Sequence, residues 1–332
     1  MYKIKQLPED FVVKEISRVN TEKNGQYAYY SLAKTNFSTV EAIQMLADRF
    51  RMSLKNIGFA GNKDKNAVTE QKISIFRGSK NFENVNIKNI ELKYLGNGKS
   101  PISLGDLEGN EFIITVRSLD DKGIERLKSA EGKKILVPNL FGAQRFSRNN
   151  HLVGKAIIKR DFKKAVALIL ENNGQTEQKI RQYLLNNKNN YVEALRAIPL
   201  KTRKLLVHSY QSFLFNKIAK EYFKKSDNKK INLKIPIIGF NFDMNSIKDK
   251  ILKDIIKNIL GEERTNPRDF IISQMPEMTS EGGLRDLFFE LKNLKILEIA
   301  DDDLNGSKQR VRISFVLPKS CYATTALEAL FL

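Results

Sequence analysis

One aspartate flanked by two lysines, Asp64 between Lys63 and Lys65, sits inside the polar stretch Gly58-Phe59-Ala60-Gly61-Asn62-Lys63-Asp64-Lys65-Asn66-Ala67-Val68-Thr69-Glu70-Gln71. Neighbouring cations favour the ionised form of a carboxylate, and an ionised carboxylate held beside a desolvated base can act as a nucleophile. The same residue types also make a tight turn, in which Gly, Asn and Asp supply the backbone angles and the carboxylate is simply solvated. Residue chemistry alone leaves both readings open.

A reactive loop needs rigid elements on either side. Ahead of it, residues 38–50 predict a helix: Ser38 and Glu41 have capping-box spacing, and Val40, Ile43, Ala47 and Phe50 fall on one face. After it, residues 71–77, with Ile73 and Ile75 on one face, and residues 111–119, rich in Ile, Thr and Val, predict strands separated by turn-rich sequence at 96–101. This mixture points to an α+β domain. From about 149 to 305 the pattern is mostly helical, with three- and four-residue apolar spacing over 161–171, 204–225 and 246–260. Strand character returns where Val311, Ile313, Phe315 and Leu317 alternate with Arg312, Ser314 and Val316, followed by a short apolar helix over 324–330. The expected organisation is therefore a first domain formed by 1–148 and 306–332, interrupted by an inserted domain at 149–305.

Fifty-seven Lys and Arg against 38 Asp and Glu, a formal charge of +19, favour a polyanionic partner, although lysine-rich composition alone produces the same excess. Several enzyme classes lose support. Gly98-Lys99-Ser100 looks like the end of a phosphate-binding loop, but Lys93 stands where the earlier glycine belongs and Pro101 opposes the following helix. No Gly-x-Gly-x-x-Gly follows a strand, so a dinucleotide or similarly bound nucleoside cofactor is not indicated. Two histidines, His151 and His208, and one cysteine, Cys321, are too few for a zinc site of that type. The Asp301-Asp302-Asp303 run reads as a solvated loop before it reads as a cation site. With one cysteine, no signal-like amino terminus and no long apolar stretch, the expectation is a soluble, cytoplasmic chain without a membrane partner.

Four separated segments resemble the TruD family of tRNA pseudouridine synthases. Gly61-Asn62-Lys63-Asp64-Lys65-Asn66-Ala67-Val68-Thr69 is similar to the family's Gly-x-Lys-Asp-x-x-Ala-Val-Thr motif, and Pro8-Glu9-Asp10-Phe11-Val12-Val13-Lys14-Glu15 to its opening motif. Pro138-Asn139-Leu140-Phe141-Gly142-Ala143-Gln144-Arg145-Phe146 resembles Asn-Tyr-Phe-Gly-x-Gln-Arg-Phe, with Leu140 in place of the aromatic. Leu317-Pro318-Lys319-Ser320-Cys321-Tyr322-Ala323-Thr324 resembles Leu-Pro-x-Gly-Ser-Tyr/Phe-Ala-Thr, with Ser320-Cys321 in place of Gly-Ser. The segment Ser209-Tyr210-Gln211-Ser212-Phe213-Leu214-Phe215-Asn216 is also similar to a family helix.

This resemblance implies an α+β catalytic domain on a mixed, largely antiparallel sheet, interrupted by an α/β TRUD-type insertion. It implies isomerisation of uridine, at position 13 of tRNA, without metal, organic cofactor or obligate protein partner. Asp64 matches the essential aspartate, acting through a covalent adduct or as a base on the sugar. By motif position Phe11, Phe141 and Tyr322 would face the turned-out base with Asn139 as a polar partner, while Lys63 and Lys5 would order Asp64 or a phosphate. Phe146 reads as core, and Arg145 equally as an ion-pair or phosphate ligand. Basic residues at 160–164, 201–204 and 224–230 of the insertion would contact RNA phosphates. Competing classes are a non-catalytic RNA binder, opposed by the intact Asp64, Asn139 and Phe141, and a methyltransferase, opposed by the missing glycine-rich loop.

Overall fold

The computed structural model describes residues 2–226 and 233–331, with the side chain of Arg148 left out. Along the chain come β1 (Phe11–Ile16), β2 (Tyr27–Thr35), α1 (Thr39–Arg49), β3 (Ile57–Phe59), β4 (Val68–Phe76), β5 (Ile90–Gly98), β6 (Gly109–Leu119), α2 (Asp121–Ala130) and β7 (Ile135–Pro138). Then follow α3 (Asn150–Ile158), α4 (Phe162–Leu170), α5 (Gln175–Asn186), α6 (Tyr191–Arg196), α7 (Leu200–Lys225), β8 (Lys234–Ile237), α8 (Lys250–Glu262) and β9 (Gly283–Asp286). Finally β10 (Phe288–Asp301), β11 (Gln309–Pro318) and α9 (Ala323–Phe331) return to strand and helix. The chain divides into two compact units, Met1–Val137 with Phe289–Leu332, and Pro138–Phe288.

Among the described residues of the first unit, nine strands form one sheet in the order β5-β2-β4-β1-β6-β11-β10-β7, with β3 added on β4. Antiparallel pairing dominates, as between β2 and β4 and between β6 and β11, while β1 and β4 run parallel with Val12 opposite Val68. The fold class is thus the expected one, α+β on a mixed, largely antiparallel sheet. Two cores serve the sheet. One joins Ala28, Tyr30, Leu32, Ile73 and Ile75 to α1. The other joins Phe11, Ile114, Ile313 and Phe315 to α2 and α9.

Ser38 and Glu41 do form a reciprocal capping box at the start of α1. The buried face of that helix is Thr39, Ala42, Ile43, Leu46 and Ala47, and Val40 is half exposed. Of the expected stripe, Ile43 and Ala47 are buried and Phe50 packs on the core, so only Val40 is corrected, its place being taken by Thr39, Ala42 and Leu46. Residues 96–98, expected in a turn, are the end of β5 and pair with Tyr27, Ala28 and Tyr29. Glycine suits this strand because the Tyr29 ring fills the space where a Gly98 side chain would start. β10 lies where helix was expected. Its period-two signal is broken by register shifts between Lys292 and Lys295 and between Ile296 and Glu298, and by Asn293 in the left-handed region. The chain passes from one compact unit to the other at 137/138 and back at 288/289, where β10 begins.

The second unit is built around α7. Apolar residues on several sides of that helix are buried, including Leu206, Tyr210, Leu214, Phe215, Ile218 and Tyr222, and α3, α6, α8 and β8 pack on it. β8 and β9 form a two-stranded antiparallel sheet, so the unit is largely helical with a small β element.

Candidate active site

In the first unit the loop between β3 and β4 is fixed from beneath by buried polar groups. Thr39 Oγ1 accepts from the Lys63 N–H at 2.8 Å and is itself 2.8 Å from Gln71 Oε1, and Gln71 Nε2 donates to the Gly61 carbonyl at 3.1 Å. Fully buried Ala67 brings the chain back into the sheet, its carbonyl accepting from Asn36 N–H. Asp64 is left at the crest with 44% of its side chain exposed. Its carboxylate accepts from Lys5 Nζ at 2.8 Å. The same ammonium lies 3.9 Å from the centre of the Phe11 ring, a cation–π distance. Lys5, Phe11 and Asp64, far apart in sequence, therefore meet.

Lys63, expected to order Asp64 or a phosphate, points away from the Asp64 carboxylate. Its ammonium pairs with Glu15 Oε2 at 2.6 Å, and both side chains are almost fully buried. Adjacent side chains on an extended loop point in opposite directions, so the residue before Asp64 turns inward while Asp64 turns out. Lys65 likewise pairs with Glu41, at 2.7 Å. The second cation near Asp64 is Lys34, which donates to the Phe37 carbonyl at 2.6 Å and to the Asp64 carbonyl at 3.1 Å. Burial pushes its ammonium down to about 8, against the opposing pull of the Asp64 charge. Sequence reasoning missed Lys34, yet a signal was there. Strand alternation puts it on the inward face with Ala28, Tyr30 and Leu32, where a lysine is expected only if it has partners.

Lys5 is held in the left-handed region, with φ of 58°, by a network on both sides of it. Lys3 exchanges two backbone hydrogen bonds with Arg117, and Asn305 binds both Lys3 Nζ and Gln6 Oε1. Arg117 is buried and bonds Asp10, Asp302 and Asp303 at 2.7–3.0 Å. Burial works against its charge, but these carboxylates more than offset that and raise its pKa. The Asp301-Asp302-Asp303 run is accordingly part ion-pair partner and not wholly a solvated loop. Despite burial, hydrogen bonds from the N–H groups of Ser118 and Leu304, from Asn305 and from Arg117 pull Asp302 down to about 2.

Phe11 is 2% exposed and meets Phe112 edge-on, so its ring belongs to the core with Lys5 at one face. Tyr322 is half-buried just before α9, where its carbonyl accepts from Ala326 N–H. Among the described residues it forms no side-chain hydrogen bond or ring pair with Lys5, Phe11 or Asp64.

In the second unit, Asn139 and Phe141 share one loop and one guanidinium. Arg285, on β9, donates to the Asn139 carbonyl at 3.0 Å and to Asn139 Oδ1 at 2.5 Å, and lies 4.3 Å from the centre of the Phe141 ring. Asn139 Nδ2 donates to the Asp286 carbonyl at 3.0 Å, so both ends of this buried amide are engaged within the protein. Phe141 is clipped to α7 by a reciprocal pair with Asn216, N–H to Oδ1 and Nδ2 to carbonyl, each 2.9 Å, and its ring meets Phe215 edge-on. Arg145 Nε donates to Ser212 Oγ, and Ser209 Oγ donates to the Arg145 carbonyl. Ser209, Ser212 and Asn216 thus hold the 139–146 loop, while Gln211 of the same segment donates to the Ile238 and Glu281 carbonyls. Arg285 and Asn216 carry this arrangement; Arg285 was not singled out by sequence, and Asn216 only as the last residue of the 209–216 segment. Phe146 pairs edge-on with His151.

Among the described residues no group of three or more His, Cys, Asp or Glu side chains is placed to hold a metal ion, and no helix is long and apolar enough to cross a membrane. Comparison with known proteins gives a consistent answer. The family model for tRNA pseudouridine synthase D (TruD) matches residues 2–183, 169–228 and 218–330. A "Probable tRNA pseudouridine synthase D" of Methanococcoides burtonii is 31% identical over 98% of this chain and 92% of that protein. The tRNA pseudouridine synthase D of Aquifex aeolicus is 28% identical over 99% of this chain and 98% of that protein. A crystal structure from Methanosarcina mazei carrying the same family name superposes with a TM-score of 0.75 at 28% identity, over 99% of this chain and 93% of that one. With the family model matching from residue 2 to residue 330 and relatives and a solved structure of the same name covering nearly all of the chain, the protein belongs to the TruD family of tRNA pseudouridine synthases.

Proposed function

We propose that this chain isomerises uridine to pseudouridine in tRNA, at position 13, with Asp64 as the reacting carboxylate. The observation that carries the proposal is the Asp64 side chain, open on one side and anchored by Lys5 alone among the described ion pairs, on the loop that matches the family's aspartate motif. The reaction breaks the bond from ribose C1′ to uracil N1 and joins C1′ to C5. N1 gains a proton and C5 loses one, so atoms balance without redox chemistry or an external group. The Asp64 carboxylate either adds to C1′ or removes a sugar proton as uracil departs, and the 2.8 Å hydrogen bond from Lys5 orients it for both. A base stacking on Phe11 requires the Lys5 ammonium to leave that ring, coupling base entry to the Asp64 anchor. Asn139 and Phe141, held by Arg285, and Tyr322, just before α9, are each read from their own motif as contacts to the RNA base.

Residues 138–288 act as the family's insertion, with basic residues at 160–164, 201–204 and 224–230 gripping phosphates. Arg203 is an exception, since it is buried and pairs with Glu277 at 2.6 Å. Residues 227–230 lie outside the described ones. One cysteine and a tRNA substrate fit a cytoplasmic setting. Tritium release from tRNA carrying label at uridine C5 tests the reading, because C5 must lose its hydrogen. Release by the native protein and not by Asp64→Asn is expected. Release undiminished in that variant would remove Asp64 from the mechanism, and no release from any cellular tRNA would remove the activity.

A further inference from the structure

Beside α8 in the second unit lies a cleft of about 650 Å³ lined by Phe240, Phe242, Met244, Lys257, Arg264 and Arg268 among others. Its apolar side is presented deliberately. Gly239 abuts Gly282 so closely that a side-chain carbon on Gly239 would lie 2.0 Å from the Gly282 nitrogen. Asn241 Oδ1 accepts from Gly282 N–H at 2.7 Å, and Phe240 N–H donates to the Ser280 carbonyl at 3.2 Å. The turn is thereby pinned, and Phe240 and Phe242 remain half-exposed while the neighbouring Ile238 and Phe270 are buried. A fixed aromatic platform costs little ordering entropy when something stacks on it.

The cationic side is uncompensated. Lys257, Arg264 and Arg268 are exposed, and among the described residues none makes an ion pair. Glu263 is committed to Lys155 and Lys217, Glu262 to Lys217, Asp269 to Lys159, and Asp243 to the Asn245 N–H, while Asp254, one turn before Lys257 on α8, forms no ion pair with any of the three among the described residues. The dipole at the end of α8 accounts for Arg264 by itself. It does not account for Lys257, further back on the helix, or for Arg268 on the following turn. Three free cations beside two fixed phenylalanines match the alternating phosphates and bases of a single-stranded nucleotide segment.

We propose that this cleft is a second RNA-binding site, which takes an unpaired segment of the substrate RNA by stacking bases on Phe240 and Phe242 and holding phosphates with Lys257, Arg264 and Arg268. The proposal rests on the tRNA-modifying reading and adds a contact outside the Asp64 and Asn139 loops. Its test is tRNA affinity as a function of salt for the native protein, for a Lys257→Ala, Arg264→Ala, Arg268→Ala triple variant, and for Phe240→Leu with Phe242→Leu. The triple variant should lose about tenfold or more in affinity, and the slope of log K against log salt should shrink by about 2, from roughly 0.7 for each lost phosphate contact. The leucine pair, which keeps apolar bulk but removes the ring faces, should weaken binding with the slope unchanged. Native affinity and slope in the triple variant, with melting temperature preserved, would overturn the site and leave the cleft to an acidic protein partner. Tritium release by the native protein separates the readings: release with an unaltered triple variant discards this site alone, and weakened binding without any release keeps the site and discards the activity.

Discussion

Arg117 is 4% exposed and divides its guanidinium among three aspartates, whereas Asp64 leaves 44% of its side chain open and has one ammonium on its carboxylate. Both are charged groups of the same unit, and the difference lies in what water and substrate can reach. A buried charge must be saturated with partners or it destabilises the fold. A reacting carboxylate must keep part of its coordination free, so it is held by a partner that can yield. The contrast gives Arg117 the surroundings of a stabilising group and leaves Asp64 open for the chemistry proposed above, and each prediction below strains that division.

The largest expected effect is on rate. Asp64→Asn should lower tritium release by about 10³-fold or more while leaving the melting temperature within a degree or two, since an exposed single pair contributes little to folding. A large loss of stability in this variant would break the contrast from one side. Arg117→Met should break it from the other: leaving Asp10 and Asp302 buried and unpaired costs about 3–5 kcal/mol, read by urea unfolding. A change under 1 kcal/mol would show the network to be dispensable. Next comes Arg285→Lys, which keeps the charge but cannot hold both the Asn139 amide and the Phe141 ring face. A ten- to hundredfold drop in kcat is expected, with tRNA affinity little changed, and an Asn139→Ala background should absorb most of the loss if the two act as a unit.

The smallest effects are on pH dependence. Asp302, held at about 2, contributes stability that is complete above the ordinary aspartate range and is lost as pH falls from about 4 towards 2. Lys34 works in the other direction. Its folded value of about 8 lies below the unfolded 10.5, so the unfolded chain binds more protons between them and stability should rise with pH across that window. Thermal melts from pH 7 to 10.5 of native protein and Lys34→Met check this, and the rise should vanish in the variant.

Much of the fold was legible because apolar periodicity survives where an element has one wet and one dry face. The capping box of α1, the helix at 162–170 and the Val311, Ile313, Phe315, Leu317 alternation all have that property. β10 did not, since its bulges shift the phase, and Val40 was misplaced because it lies at the edge of the face that Ile43 and Ala47 bury. In the site, the Asp64 and Asn139 loops were visible as motifs. The grip of Lys34 and Arg285 was not, because a charged residue declares its partner only once the partner is beside it.

Residue types and their order determined that an aspartate would stand in a polar loop between a helix and a strand, that an α+β domain would be interrupted by a mostly helical region, and that the chain's family could be recognised, the resemblance in turn implying the largely antiparallel sheet. Only the tertiary structure decided which lysine serves that aspartate. Lys63 is its neighbour in the chain but turns inward to Glu15, and Lys5, 59 positions away, reaches the carboxylate instead. The reason is geometric: successive side chains of an extended backbone diverge, and sheet pairing of β1 with β4 brings distant segments within hydrogen-bonding range.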